Sequence, residues 1–103
     1  VTIQENEPLL LQDMADMLDR LSPRGSHYRH NDFDIRTVHM HQNECPNGHS
    51  HCQHLTLGSS ETIPVVDEAL PLGEFQRVFV VELDAEKASQ VDHREVIVQI
   101  LGT

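Results

Sequence analysis

Leu10, Met14, Met17, Leu18 and Leu21 recur at i, i+4, i+7, i+8 and i+11, and this spacing predicts one apolar stripe on a helix from Pro8 to Leu21. Gln12, Asp13, Asp16, Asp19 and Arg20 fill the opposite side. Asn6 or Glu7 is placed to cap the start, where proline is tolerated, and Ser22-Pro23 followed by Gly25 is a stop. The pattern then changes period. Residues 34–43 alternate, Cys45-Pro-Asn-Gly-His49 is turn material, and residues 51–58 form a second short run. Asn-Gly between two such runs is a strong hairpin signal, so a β-hairpin over 33–58 is expected. Two nearly continuous β-branched runs follow, RVFVVEL at 77–83 and EVIVQIL at 95–101. They predict strands covered on both faces.

These elements assemble into an α+β expectation: one N-terminal helix packed on a mainly antiparallel four- or five-stranded sheet with a central His-rich β-hairpin. At 103 residues the chain suits a single domain, 1–103. The helix covers only one face of such a sheet, so the apolar character of the last two runs predicts a homodimer or a protein partner on the other.

The hairpin carries the chemistry. Seven of the eight histidines and both cysteines lie between His27 and His54. Imidazole and thiolate are the side chains that best bind zinc, copper, nickel or iron. With Asn47 and Gly48 as a two-residue turn, His41 faces His54, Met40 faces Leu55, Val38 faces Leu57 and Asn43 faces Cys52. Alternation across a strand then separates Val38, Met40, Leu55 and Leu57 on one face from His39, His41, Cys52 and His54 on the other. Three imidazoles so arranged, with Cys52, water or substrate in a fourth position, form a site for zinc or another divalent transition metal. Cys45, His49, His51 and Cys52, within and just after the turn, make a rival set. His27 and His30 read as ordinary loop residues, and His93 stands alone.

Seventeen acidic against seven basic residues give a net charge of −10, which repels nucleic acid. Protonation of all eight histidines would bring it to −2, so an alternative function is a non-catalytic interaction module whose histidines line a pH-sensitive interface. No apolar run approaches the roughly 20 residues that cross a bilayer, and VTIQENEP lacks the profile of a secretory leader. Two closely spaced thiols among histidines fit a reducing cytoplasm, so a soluble, cytoplasmic protein is expected. Ser59 and Ser60, near His54 and Glu61, lack the strand-turn-helix elbow of a hydrolytic nucleophile. No general base is evident either, which favours sensing, storage or structural use of the metal over hydrolysis.

Overall fold

Helix α1 spans Pro8–Leu21 in the computed structural model, which describes residues 1–103. The Glu7 carboxylate accepts hydrogen bonds from the first-turn amides of Leu9 and Leu10, at 3.0 and 2.6 Å. Pro8 has no N–H, so these two bonds satisfy two of the three amide donors the helix start leaves unpaired. At the other end Ser22 N–H donates to Leu18 O at 2.9 Å.

Strand β1 (Thr2–Glu5) precedes α1. A 3-10 turn (Arg29–Asn31), helix α2 (Gly48–Leu57), strand β2 (Gln76–Phe79) and the single turn of α3 (Ala85–Ala88) follow. The two strands pair antiparallel with Thr2 opposite Phe79 and Glu5 opposite Gln76. Asn6 N–H continues the ladder to Phe75 O at 2.7 Å.

The molecule is therefore a small mixed α and β structure with a two-stranded sheet, and the expected four- or five-stranded sheet is not formed. The central His-rich hairpin is absent as well. Asn47-Gly48 opens a helix instead of closing a ribbon: the Asn47 carbonyl accepts from Ser50 N–H and His51 N–H, at 3.1 and 3.3 Å, and Gly48 is the first residue of α2. The segment expected as the partner strand breaks into turns. Ile35 N–H and Arg36 N–H both return to Asp32 O, and His39 sits in the left-handed region at φ 52°. The run at 77–83 is a strand only as far as Phe79, and residues 95–101 form no strand. β-branched residues favour extended backbone, but a strand also needs an edge to pair with, and neither run is supplied with one along its full length.

Much apolar surface consequently faces outward. Ile97, Ile100 and Leu101 are 92, 81 and 83% exposed. The radius of gyration is 16.9 Å, against about 13 Å for a compact chain of this size. The tightly packed region is the contact between the C-terminus of α1 and the N-terminal half of α2. Leu18, Ser22, His49, Ser50 and Gln53 are buried there, with Cys45 just upstream of α2. This small, mostly polar junction holds most of the histidine-bearing segments in place. No helix is long and apolar enough to cross a membrane.

Candidate functional site

Helix α2 organises the histidines. Its buried side is His49, Ser50 and Gln53, while His51, Cys52, His54 and Leu55 point outward. Two ties fix it to α1: Ser22 Oγ–H donates to His49 O at 3.1 Å, and the Gln53 amide donates to Leu18 O and Ser22 O, at 3.2 and 3.1 Å. A third contact binds its first turn to the 3-10 turn, because Gly48 N–H donates to Asn31 Oδ1 at 2.9 Å. That latch carries His30 to the flank of α2.

His30 and His51 consequently meet edge to face. Their ring centroids are 4.8 Å apart and the ring planes are inclined by 76°. The pKa of His30 lies below the ordinary 6.5: burial is the main cause, and the charges of Arg36 and His51 add to it. Glu44 and the Asn47 side chain, as an acceptor toward the ring, oppose the shift without cancelling it. Glu44 itself is held below the usual carboxylate range, chiefly by His41 N–H, which donates to it at 2.7 Å, and also by Arg36. Near neutral pH the pair is thus biased toward an uncharged His30 with a lone pair to offer.

The lowered value has a consequence for folding. Between the depressed folded pKa and 6.5 the unfolded chain binds more protons than the folded one. The contribution of His30 to stability is present above that window and lost as the pH falls through it. Urea unfolding is expected to show stability declining as the pH drops below 6.5, with a shallower decline in His30→Gln.

The sequence-predicted ligands occupy separate places. His39 and His41 lie exposed on the loop clasped by Arg36, which donates to His39 O at 2.6 Å and approaches Glu44 at 3.6 Å. Cys52 is exposed on α2 as a free thiol. His54 closes the end of α2, its Nε2 lying 3.2 Å from Gly58 O and 3.1 Å from Ser59 Oγ. A carbonyl only accepts, so the Gly58 contact requires a proton on Nε2, and that nitrogen cannot then act as a base toward Ser59. No three His, Cys, Asp or Glu side chains are grouped so as to hold a metal ion. The convergence of His39, His41, His54 and Cys52 depended on the hairpin register, and without the hairpin nothing brings them together.

The rival set is also divided. Cys45 is buried and accepts from the Gln90 amide at 3.2 Å, His49 is buried with both ring nitrogens unpartnered, and His51 and Cys52 are exposed. His30 is the residue that reading the sequence passes over. Its partnership with His51 is made by the Asn31–Gly48 latch, a contact between segments 17 residues apart, and no local spacing announces it. An open groove of about 430 Å³ reaches His51 but not His30, lined by Ser50, His51 and His54 on α2 and by Asp84, Lys87 and Arg94 beyond β2.

Two archaeal relatives resemble the chain. A UPF0047 protein of Methanothermobacter thermautotrophicus is 33% identical over 91 residues, covering 88% of this chain and 56% of that protein. A UPF0047 protein of Archaeoglobus fulgidus is 31% identical over 91 residues, covering 88% of this chain and 64% of its own length. The chain thus spans little more than half to under two thirds of these curated relatives. No solved structure matches it. All of residues 1–103 match the family described as UPF0047 protein YjbQ-like, and the chain belongs to that family.

Proposed function

We propose that the protein binds a divalent transition metal, zinc foremost, through the imidazoles of His30 and His51. The observation that carries this reading is the 4.8 Å separation of the two rings. Two imidazoles bound to one ion at about 2.0–2.1 Å, with an angle between square and tetrahedral, have ring centroids about 4.5–5.2 Å apart. The depressed pKa of His30 acts in the same direction, since only the neutral ring is a ligand. A pair of nitrogens leaves further coordination positions for water or a ligand. Glu44, the acid whose charge acts on His30, is already engaged by His41 N–H and Arg36. The absence of a free base there favours binding, sensing or storage over hydrolysis. Free thiols at Cys45 and Cys52 suit a reducing cytoplasm, where we place the protein.

Competition titration with a chromophoric zinc chelator, on protein without a histidine tag, tests the assignment. His30→Ala and His51→Ala are each expected to weaken zinc binding at least about tenfold, the scale of losing one strong contact at a metal. His39→Ala and His41→Ala are expected to bind as the wild type does. Full affinity in His30→Ala would remove the reading.

A further inference from the structure

The C-terminal run Glu95-Val-Ile-Val-Gln-Ile-Leu101 has the composition of a strand and nothing to pair with. No backbone amide or carbonyl in it is hydrogen-bonded within the chain, and Val96, Ile97, Val98, Ile100 and Leu101 are all exposed. Strands that stay at a solvated edge are commonly blunted by lysine, proline or a bulge. This run contains no lysine, proline or glycine. The surface left open is large. The chain exposes 8457 Å², whereas a compact folded monomer of 11.7 kDa exposes about 5,900 Å². The excess, about 2,600 Å², is of the size that each subunit of an obligate homodimer buries, about 1,000 to 2,500 Å² or more.

We propose that a second copy of this chain covers that surface, with residues 95–101 of the two copies pairing antiparallel about a two-fold axis at Val98. The run is complementary to itself in this register. Val98 faces Val98, Val96 faces Ile100, Ile97 faces Gln99 and Glu95 faces Leu101. Opposed residues share a face of the ribbon. One face therefore carries only Val96, Val98 and Ile100 from each copy, an unbroken β-branched surface. The run's one charge, Glu95, falls at the two ends of the ribbon, roughly 20 Å from its symmetry mate, so no like charges meet. A slip of one residue would set Gln99 against Val98 and mix the two faces, which specifies the register. Pairing also satisfies the backbone groups that the isolated chain leaves to water. The ribbon then forms the centre of an isologous interface, with the exposed Phe75, Val78 and Val80 as further apolar surface to bury. This assembly is independent of the metal reading.

Sedimentation equilibrium of the full chain, with chelator present to exclude bridging by metal ions, measures the assembly. The wild type is expected to have twice the 11.7 kDa mass of the single chain. Val98→Lys and Val98→Glu change a side chain that is 80% exposed in the single chain, so neither disturbs its packing. At the two-fold axis each places two like charges face to face and removes two valines from the interface. Each variant alone is expected to dimerise at least about a hundredfold more weakly, the scale of two lost valine burials. An equimolar mixture of the two variants places lysine opposite glutamate and is expected to recover dimer, as a heterodimer. That recovery requires position 98 to face itself, and it shows that both variants are folded. A wild type that stays monomeric, as it would if a different protein covers this surface, overturns the proposal. So does a ladder of larger species without a discrete dimer, a dimer as strong in Val98→Lys as in the wild type, or a mixture that stays monomeric.

Discussion

Gly48→Ala is expected to destabilise the protein by about 2 kcal/mol and to separate the two histidines. A Cβ at this position would lie 2.6 Å from Tyr28 Cβ and 2.8 Å from its Cγ. Those atoms sit at the root of the tyrosine, so a turn of the ring alone does not relieve the clash. Nor is the ring free to leave. Its hydroxyl donates to Pro23 O at 2.6 Å and lies 2.9 Å from Ser22 Oγ, just past the end of α1. Either the segment after α1 or the start of α2 must move, and overpacking of this kind costs about 1–3 kcal/mol. Alanine's better helix propensity offsets less than about 1 kcal/mol. Any such movement strains the bond from Gly48 N–H to Asn31 Oδ1, the latch that brings His30 to His51. Urea titration measures the first effect. Zinc competition measures the second, and a loss of affinity comparable to that of His30→Ala is expected. A variant with wild-type stability would show that Tyr28 and Gly48 are not in contact.

The same glycine shows why part of this fold could be read from the sequence and part could not. Helix α1 announces itself because its apolar residues recur at helical spacing, although Leu18 is the only one of them buried and Met17 and Leu21 are exposed. Helix α2 buries His49, Ser50 and Gln53 and turns Leu55 outward at 87% exposure. Its pattern is therefore the reverse of an amphipathic helix, and Asn47-Gly48 ahead of it carries the residue types of a hairpin turn. Those residue types serve both purposes: a turn needs glycine for its backbone, whereas here glycine is needed for close approach to Tyr28. The clustering of histidines pointed to His39, His41, His54 and Cys52, which the fold keeps apart, and left His30 as an ordinary loop residue. The partnership of His30 with His51 depends on where α2 lies relative to the turn at Arg29–Asn31, and a linear pattern does not record that. Strand β1 was missed because Thr2–Glu5 is too short to show a period, and it is recognisable only through its pairing with β2.

Gln53→Leu is expected to cost about 3 kcal/mol, although it introduces an apolar residue of similar size at a buried position. Gln53 is 3% exposed, and its amide nitrogen lies 3.1–3.2 Å from Leu18 O, Ser22 O and Asp19 Oδ1, three acceptors that share its two N–H groups. These acceptors are the C-terminal end of α1, where carbonyls have no partner within the helix. Leu18 O keeps the hydrogen bond from Ser22 N–H, but Ser22 O has no donor other than Gln53. Leucine would leave that oxygen unsatisfied next to an apolar group, at about 1–3 kcal/mol, with the net value of the lost bonds added. Gln53→Glu separates shape from donor chemistry. It preserves the outline but offers only acceptors to three oxygens, one of them the carboxylate of Asp19, so near neutral pH it should be more damaging than leucine. As the pH falls, protonation of the new carboxyl restores one donor, and part of the loss should be recovered. Urea midpoints of both variants across pH check this ordering. If Gln53→Leu is as stable as the wild type, the polar junction between α1 and α2 is not what holds the two helices together. The burial of Leu18 and Cys45, the two buried apolar side chains, would then have to supply that cohesion.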